Sequence, residues 1–591
     1  MKPPSNEEIA IKLREIGLLL EMEDVPFKPR AYEKAALSLA GLDEPCTAIY
    51  ARGGEKALRE IPAIGKSMAE AIAQYLTTGQ MTHHAELYAR TPVDVSALTS
   101  IEGVGPKAVR ALYEALGVTD LASLERAARA GKIRALPHFG EKSEEKILRG
   151  LEFARQRSGR FPLGSVLSLV RDIEARIAKR PGVERAVVAG SIRRRKETVG
   201  DADLLIIAKT PAPVMDFVTS LPEVAHVIAK GRTKSAVKLT NGLQMDVRVV
   251  PRESFGAALH YFTGSKAHNV ALRQIAIKKG LKLNEYGVFR GDRAIAGRTE
   301  EEVYAALDLP FIPPELREDE GEVDAARAGK LPRLIEHGSL LGDLQTQTDW
   351  TDGSDSIDAM VEEARALGLR YLAVTDHTRD LAMTGGSDEA KLRKQGRAID
   401  SLNAKLKGFR VLKGAEVNIR KDGTLDIADD ALAELDVVGI AVHSHFNLPR
   451  DEMTARVIRA MRNPHADILF HPTGRVLQRR EPFALDIDAV IAAARETGTI
   501  LELDAFPDRL DLKDDHVRKA IAAGVKLVID SDAHALGHLR FPEEFGIDQA
   551  RRGWSSANDV LNTRPVDAFL AALKDGCRPR AGRKGSSKRR R

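Results

Sequence analysis

The chain has 591 residues, of which 43% are hydrophobic and 5% aromatic, and its formal net charge is +5. This length predicts three or four domains of about 150 residues each. The two cysteines, Cys46 and Cys577, exclude a disulfide framework, and the N-terminus lacks the apolar segment of a secretory signal. No apolar run reaches the length of about 18 residues that a membrane span needs. We therefore expect a cytoplasmic protein without a membrane partner.

Three glycine-containing turns of similar sequence divide residues 1 to 155, and a helix with an apolar stripe follows each. They are Ile61-Pro62-Ala63-Ile64-Gly65-Lys66, Ile101-Glu102-Gly103-Val104-Gly105-Pro106-Lys107 and Leu136-Pro137-His138-Phe139-Gly140-Glu141-Lys142. A tight glycine turn leaves backbone N–H groups free at the start of a helix, where they can bind a phosphate. The three copies predict helix-hairpin-helix elements, which hold the DNA backbone without reading its base sequence.

Gapped, nicked or intact duplex DNA is therefore the expected partner of this region. The predicted DNA-binding residues are Gly65, Lys66, Gly103, Gly105, Lys107 and Gly140. Gly103 and Gly105 form the cleanest copy, whereas Ala63 replaces the first glycine of the first turn. We expect the backbone to approach DNA less closely at that turn.

Two carboxylates, Asp201 and Asp203, stand at the head of an apolar run and follow the segment Gly190-Ser191-Ile192-Arg193-Arg194. Strand alternation places the two carboxylates on the same face. Paired carboxylates can hold two divalent cations about 4 Å apart, which stabilise the attacking and leaving oxygens of a phosphoryl displacement. Gly190, Ser191 and the arginines lie where a polyphosphate needs donors and positive charge. The pattern predicts nucleotidyl transfer; the alternative is a strand start with solvated acids.

Residues 160 to 315 alternate strand and helix patterns, with strands predicted at 184–190, 203–208, 235–240 and 243–250. In the last of these, Asp246 and Arg248 alternate with Met245 and Val247 and therefore share the polar face. A buried strand does not need an acid there. A third carboxylate beside Asp201 and Asp203 would complete a two-metal site and help activate a primer 3′-hydroxyl.

The segment from 313 to 338 is rich in charge and proline, which predicts an interdomain linker. Beyond it, short apolar runs separated by helical segments end in His, Asp or Glu. These runs are Tyr371–His377, Val411–Glu416, Val437–His443, Ile468–His471 and Leu527–His534. The pattern is typical of a βα-barrel, which carries its chemistry at the C-terminal ends of its strands. Five such strand ends predict a polynuclear metal site.

The C-terminal tail is strongly basic. Residues 577 to 591 carry eight Lys or Arg and no acid. Such a composition predicts a disordered tail that is attracted to polyanions. The alternative is a solubilising end without a specific partner.

The first 315 residues resemble a family X DNA polymerase, similar to DNA polymerase beta in domain order. The resemblance rests on Gly190-Ser191-x-Arg193-Arg194, Gly200-Asp201-x-Asp203, Asp246-Val247-Arg248 and Tyr261-Phe262-Thr263-Gly264-Ser265. It implies that Asp201, Asp203 and Asp246 are catalytic Mg²⁺ ligands. It further implies that Gly190, Ser191 and Arg194 bind the triphosphate, that Tyr261, Phe262 and Gly264 line the sugar, and that Asn269 and Arg273 lie near the nascent base pair.

One departure concerns the lysine with which the N-terminal domain of this family often forms a Schiff base on abasic sugar phosphate. The matching position is Ala71, although Lys28 and Tyr32 match neighbouring positions. Without an amine the lyase chemistry cannot run there, so we predict weak or absent deoxyribose-phosphate lyase activity. Borohydride trapping on abasic DNA measures it. Strong trapping that is lost when one lysine is changed, for example Lys66 as a substitute amine, would contradict the prediction.

Residues 339 to 575 resemble the PHP domain, a metal-dependent phosphoesterase fold whose first motif is Asp-x-His-x-His. Here Gln345 and Gln347 stand in both histidine positions. The remaining ligands implied by the resemblance are Asp352, His377, Glu416, His443, His471, Asp532 and His534. A neutral glutamine oxygen is a weaker ligand for Mn²⁺ or Zn²⁺ than imidazole, so one of three subsites should be weakened. The domain is then either a metal-dependent 3′-5′ exonuclease or phosphoesterase of reduced efficiency, or a structural support.

The expected fold is a multidomain α/β chain with a helical helix-hairpin-helix N-terminal region, a polymerase-beta-like α+β nucleotidyltransferase palm and a distorted C-terminal βα-barrel. The predicted segments are a lyase-like helical DNA-binding domain (1–90), a fingers-type helix-hairpin-helix domain (91–155), the catalytic palm (156–232), a nucleotide-selection subdomain (233–315), a linker (316–338), the PHP domain (339–575) and the basic tail (576–591).

The leading functional hypothesis is a DNA-directed DNA polymerase that fills short gaps from dNTPs during DNA repair, such as base excision repair. We expect two Mg²⁺ in the polymerase site, Mn²⁺ or Zn²⁺ in the PHP site, and a monomer associated with the nucleoid. A non-templated nucleotidyltransferase that modifies a small molecule or an RNA end is one alternative. A non-enzymatic scaffold for DNA ends is another, and the three intact carboxylates argue against it.

Overall fold

A computed structural model describes residues 4 to 573, except 41, 43, 102, 157 and 158. The predicted basic tail, with Cys577, lies outside the described residues, as does Glu102 of the second glycine turn. In the described part of the chain, no helix combines the length and the apolar character that crossing a membrane requires.

The N-terminal region is helical. Its helices are α1 (Asn6–Met22), α2 (Lys28–Ala40), α3 (Cys46–Leu58), α4 (Lys66–Thr78), α5 (Thr82–Arg90), α6 (Val95–Thr99), α7 (Pro106–Leu116), α8 (Leu121–Arg129) and α9 (Glu141–Gln156). One apolar core runs from Ile9 in α1 to Ile147 in α9. This core crosses the boundary predicted at residue 90, because α1 packs against both α5 and α7.

The three glycine turns have the same backbone geometry. In each, the residue two positions before the last glycine has a positive φ: 60° at Ala63, 88° at Gly103 and 68° at His138. A hydrogen bond also closes each turn at the same place, from the N–H of Ile64, Val104 or Phe139 to the carbonyl three residues earlier, at 3.0 to 3.1 Å. The first turn therefore keeps the shape of the second, although alanine is strained in this conformation.

A five-stranded sheet forms the middle of the chain, in the order β2-β4-β7-β6-β5. Its strands are β2 (Val183–Val188), β4 (Asp201–Ala208), β5 (Val224–Lys230), β6 (Lys234–Leu239) and β7 (Gln244–Val249). A short pair, β1 (Phe161–Pro162) and β3 (Thr198–Val199), and helices α10 (Leu163–Ala178), α11 (Gly190–Arg193) and α12 (Pro211–Thr219) accompany it. The boundary predicted between 232 and 233 divides this sheet, since β6 and β7 pair with strands on the other side of it.

A second α+β unit follows the sheet. Its elements are α13 (Phe255–Thr263), α14 (Lys266–Lys278), β8 (Lys282–Asn284), β9 (Gly287–Arg290), β10 (Arg293–Ala296), α15 (Glu300–Ala306) and α16 (Glu322–Arg327). The predicted linker 316–338 belongs to this unit, because Leu316, Val323 and Leu334 enter its apolar core. Some of the charged side chains that led to the linker prediction are buried in ion pairs. Arg317, for example, pairs with Glu300 at 2.6 Å.

The C-terminal region contains a parallel seven-stranded sheet whose strands follow chain order. They are β11 (Gly342–Thr346), β12 (Tyr371–Val374), β13 (Arg410–Asn418), β14 (Val437–Ala441), β15 (Ile468–Leu469), β16 (Ile500–Asp504) and β17 (Leu527–Asp530). The ends of β11 and β17 meet through a bridge between Thr346 and Ala533, so the sheet curls into a nearly closed barrel. The predicted distorted βα-barrel is therefore confirmed.

Helices surround this barrel. They are α17 (Ile357–Ala366), α18 (Glu389–Asn403), α19 (Asp429–Leu432), α20 (Arg450–Met461), α21 (Ile487–Thr497), α22 (Asp514–Ala522), α23 (Ile547–Arg552) and α24 (Val566–Ala572). Short 3-10 turns lie at Arg252–Ser254, Pro314–Leu316, Ala382–Thr384, Leu536–Arg540 and Leu561–Thr563, with a π-helical turn at Pro542–Gly546.

The barrel packs directly on the five-stranded sheet. Leu477, Leu510 and Phe545 of the barrel belong to the same apolar cluster as the core of that sheet. Gly164 in α10 lies so close to Pro507 that an added Cβ would sit 2.4 Å from the proline side chain. The two regions therefore share part of their hydrophobic stabilisation.

Candidate functional site

Two neighbouring parallel strands carry the three predicted carboxylates. Asp201 and Asp203 lie on β4, and Asp246 lies on β7 directly opposite Asp203. Burial, followed by the charges of Asp201 and Asp246, raises the pKa of Asp203 to about 7. The three side chains thus share a negative field that a divalent cation would relieve.

Gly190 opens a short turn beside these carboxylates. The N–H of Ala189 donates to the backbone oxygen of Asp203 at 2.7 Å, which ties the turn to β4. Gly190 has a φ of 62°, and a Cβ there would approach the Asp203 carboxylate to 2.6 Å. The position therefore needs glycine, and it places half-buried Ser191 next to β4.

Arg193 and Arg194 are held by acids of the following unit. Both carboxylate oxygens of Glu300 accept from Arg193, at 2.6 and 2.9 Å. Burial opposes ionisation of Glu300, but Arg317 and Arg193 lower its pKa to about 2. Arg194 donates to Glu318 at 3.0 Å and to the backbone oxygen of Thr263. The structure thus brings Arg194 to the predicted sugar-binding turn, with its guanidinium partnered by Glu318.

Three of the predicted nucleotide-contacting residues, Tyr261, Asn269 and Arg273, line one small pocket. Its lining residues are His260, Tyr261, Asn269, Arg273, Leu283 and Asn284. Asn269 donates to the backbone oxygen of Tyr261 at 2.7 Å. Phe262 does not line this pocket. The guanidinium carbon of Arg248 lies 4.5 Å from the centre of the Phe262 ring. Arg248 on β7 therefore contacts the aromatic side chain of the predicted sugar-binding segment directly.

In the barrel, Glu416 is the centre of one candidate metal group. Its carboxylate oxygens lie 2.9 Å from His443 Nε2, 2.8 Å from His471 Nε2 and 3.3 Å from His377 Nδ1. Burial opposes ionisation of Glu416, but the adjacent imidazoles hold its pKa well below the usual range. A buried carboxylate ringed by imidazoles is a donor set suited to Mn²⁺ or Zn²⁺.

A second candidate group contains Asp352, His377 and His534. The Asp352 carboxylate lies 3.6 Å from His377 Nε2 and 3.8 Å from His534 Nε2. Within this group, the three ligand atoms lie within 4.8 Å of one another. The same holds separately for the group of His377, Glu416 and His443. Among the described residues, the second Asp352 oxygen is buried without a hydrogen-bond partner. A cation would satisfy it, so these residues fit a divalent metal.

Outer hydrogen bonds orient the imidazoles of the two candidate metal groups. His443 Nδ1 lies 2.7 Å from the amide oxygen of Asn418, and His534 Nδ1 lies 2.7 Å from the backbone oxygen of Asp532. Such contacts leave Nε2 of each ring directed toward the cluster and are typical of metal centres.

The two glutamines face the cluster as amide donors. Gln347 donates to Glu416 at 2.7 Å, and Gln345, in the orientation that satisfies its amide, donates to Glu502 at 2.6 Å. A glutamine could ligate a metal only through its amide oxygen, which is a weaker ligand than imidazole. Among the described residues, the Gln347 oxygen is buried without a hydrogen-bond partner. The weakening of one subsite stays a prediction.

Arg509 and Glu502 are residues of this pocket that the sequence analysis missed. Arg509 Nε lies 3.4 Å from both Asp504 and Asp532. Glu502 and Asp504 alternate at the end of β16, so they share a face in the way that identified Asp201 and Asp203. That alternation was the available signal for Glu502, whereas no local pattern indicated Arg509.

The N-terminal region borders the same pocket. From α2, Arg30 donates to the backbone oxygens of Thr351 at 3.0 Å and Thr384 at 2.7 Å. Lys34 donates to the backbone oxygen of Gly353 at 2.8 Å. These contacts fix α2 against the loop that carries Asp352.

The barrel also holds the loop that joins the Gly-Ser turn to β4. Arg475 makes a bidentate pair with Glu197, at 2.7 and 3.2 Å. Arg195 pairs with Asp548 at 3.0 Å, and Arg552 donates to the backbone oxygen of Arg194 at 2.8 Å. The position of this loop therefore depends on the barrel.

Arg475→Met tests that dependence. We expect a loss of about 2 kcal/mol in the free energy of unfolding, less than a fully buried pair would give because Glu197 is 29% exposed. We also expect a higher KM for the nucleotide substrate, because the loop precedes the carboxylates. The measurements are thermal unfolding and steady-state nucleotide addition. Arg479→Met, on a 62% exposed arginine nearby, is the control, and equal values for both variants would contradict the prediction.

Family models match three parts of the chain. A helix-hairpin-helix domain matches residues 4–81, and a SAM-like helix-hairpin-helix tandem matches residues 95–152. The DNA polymerase beta thumb matches residues 258–318. The matched ranges contain the three glycine turns and the Tyr261–Ser265 segment.

Known proteins resemble the chain both as a whole and in parts. It is 39% identical over 572 residues to the DNA polymerase/3′-5′ exonuclease PolX of Bacillus subtilis, which covers 95% of this chain and 99% of that protein. It is 31% identical over 234 residues to a probable phosphatase of Thermoanaerobacter sp., covering 37% of this chain and 90% of the relative. DNA polymerase lambda of Rattus norvegicus is 25% identical over 343 residues, covering 53% and 56% of the two chains.

Proposed function

The chain belongs to the PolX family of bacterial family X DNA polymerases, and we propose that it fills short gaps in DNA by templated addition of dNTPs during repair. Members of this family are nucleotidyltransferases that bind DNA. The observation that carries the proposal is the pairing of β4 with β7, which sets Asp203 opposite Asp246 beside the Gly190 turn.

The residues divide the work of nucleotide addition. Asp201, Asp203 and Asp246 would hold two Mg²⁺, which when bound supply positive charge at the attacking and leaving oxygens. Gly190 and Ser191 present donors to the triphosphate, and Arg194 adds positive charge beside them. Tyr261, Phe262 and Gly264 form the wall against the sugar. Asn269 holds that wall by donating to the backbone oxygen of Tyr261. Arg273 donates to the backbone oxygen of Asn269 at 3.3 Å, and both residues would lie near the nascent base pair.

For the barrel, we propose two bound metal ions, Mn²⁺ or Zn²⁺, and a 3′-5′ exonuclease or phosphoesterase activity. The donor sets around Glu416 and Asp352 support this. A purely structural role is the second candidate, and the apolar cluster shared with the five-stranded sheet favours it. We further propose that the protein acts as a monomer in the cytoplasm, on nucleoid DNA.

Gly103→Val tests the DNA-binding role of the hairpins. Valine at a φ of 88° is strained by about 1–2 kcal/mol and presses on Lys146. We expect the Kd for gapped duplex to rise about tenfold, the equivalent of about 1.4 kcal/mol. Gly117→Val is the matched control, since Gly117 has a φ of 65° at the other end of α7. Both variants should lose stability, but equal DNA affinities would contradict the role of the hairpin.

Template dependence tests the proposed polymerase. Four gapped duplexes that differ only in the single unpaired template base are each offered the four dNTPs separately. The proposal expects addition of the complementary nucleotide in each case. Addition of the same nucleotide regardless of template would support the non-templated transferase instead.

A further inference from the structure

A guanidinium lies where the barrel pocket lacks a complete third set of metal ligands. Gln345 and Gln347 occupy two ligand positions as amide donors. Asp532 is an acid among the predicted ligands of this pocket. Its Oδ2 lies 3.4 Å from Arg509 Nε. The same Nε lies 3.4 Å from Asp504. Two acids that end neighbouring strands therefore share the Arg509 guanidinium.

Arg509 is not fully used by these two acids. Among the described residues, its Nη1 is buried without a hydrogen-bond partner. The side chain as a whole is 23% exposed. A guanidinium has five N–H donors in a fixed fork that matches the oxygens of a phosphate. Arg509 therefore retains donor capacity for a ligand beside the two candidate metal groups.

We propose that the pocket binds two divalent cations, and that Arg509 replaces a third by binding a non-bridging oxygen of a DNA phosphodiester. The first cation would use Glu416, His443 and His471, and the second Asp352, His377 and His534. The guanidinium pairs with both Asp532 and Asp504, and its positive charge repels a further cation from Asp532. The phosphodiester part rests on the nuclease activity proposed above, whereas the metal count does not.

Metal stoichiometry provides the first test. The full chain with Asp201→Ala and Asp203→Ala, which removes the palm metals, is loaded with Mn²⁺, desalted and analysed for bound metal. We expect two Mn²⁺ per chain. Adding Gln345→His, Gln347→His and Arg509→Met to this background should raise the count to three, because two imidazoles and a free Asp532 then become available. Three ions before those changes, or two after them, would overturn the proposal.

Phosphate binding provides the second test and needs no turnover. In the same background, inorganic phosphate is titrated with the Mn²⁺-loaded protein, and broadening of its ³¹P resonance reports binding near the metals. Arg509→Met should weaken binding at least tenfold with two Mn²⁺ retained, and Arg509→Lys should weaken it less. Arg479→Met should leave binding unchanged. Unchanged affinity in Arg509→Met, or loss of its metal, would assign Arg509 a structural role and overturn the proposal.

Thermal unfolding shows whether each variant is folded. If Arg509→Met does not fold, Arg509→Lys is used instead, because lysine keeps the positive charge but lacks the planar fork of donors. A phosphate affinity of Arg509→Lys equal to that of the parent would then overturn the proposal. A protein that holds two Mn²⁺ and binds phosphate through Arg509, yet leaves DNA uncut, would refute only the proposed nuclease function.

Discussion

Asp203→Asn is expected to slow templated nucleotide addition about 1,000-fold, the equivalent of about 4 kcal/mol of transition-state stabilisation. The side chain lies between Asp201 and Asp246, and their charges help raise its pKa to about 7. The amide keeps the shape of the side chain but cannot bring a negative charge to a bound cation. Single-turnover filling of a one-nucleotide gap measures the effect, and affinity for the gapped duplex should stay the same.

Asp216→Asn is the control for that variant. Asp216 is exposed on α12, where it pairs with Lys230, so its loss should leave the rate unchanged. A rate for Asp203→Asn within tenfold of the parent, at equal DNA affinity, would contradict the assignment of the palm carboxylates.

Glu416→Gln is expected to remove at least one of the two metals proposed for the barrel and to slow 3′-5′ shortening of DNA by at least about 100-fold. Outer-shell partners of a metal site typically contribute 10–100-fold, and Glu416 itself contacts three imidazoles. Gap filling should be unaffected, because Glu416 lies in the barrel and not on the five-stranded sheet. Metal analysis and digestion of a labelled single strand provide the two measurements.

Glu434→Gln, on a half-exposed glutamate that pairs with Arg393, is the matched control. Full metal content and full shortening activity in Glu416→Gln would contradict the proposed metal site. Loss of gap filling together with shortening would instead indicate that the substitution disturbs the packing between the barrel and the sheet.

Local periodicity made the polymerase carboxylates predictable. Alternation along one strand set Asp201 and Asp203 on one face, and the same argument added Asp246. The hairpin turns were also predictable, because each is defined by six or seven consecutive residues. At Ala63 the sequence predicted a less close approach of the backbone to DNA, which stays a prediction; the turn itself keeps a positive φ, as at Gly103. Hydrogen bonding within the turn and packing of the following helix outweigh the strain of a positive φ.

Features that depend on long-range packing were not predictable in the same way. The composition of 316–338 predicted a linker. In the structure, its widely spaced apolar residues pack against a core formed by residues 257–312. The sequence predicted a boundary between subdomains at residue 232. In the structure, β7 pairs with β4 and β6 pairs with β5, so one sheet spans that residue. Arg509 carried no local signal, because its role depends on Asp504 and Asp532 from two different strand ends.

One measurement tests most directly the claim that the chain joins a polymerase site to a separate metal-dependent nuclease site. A 5′-labelled primer on a one-nucleotide gapped duplex is incubated with Mg²⁺ or Mn²⁺, with and without dNTPs. We expect extension with dNTPs that Asp203→Asn slows about 1,000-fold, and shortening without dNTPs that Glu416→Gln slows at least about 100-fold. Each variant should keep the other activity. A primer that is never extended, or two activities that are lost together in both variants, would contradict the account.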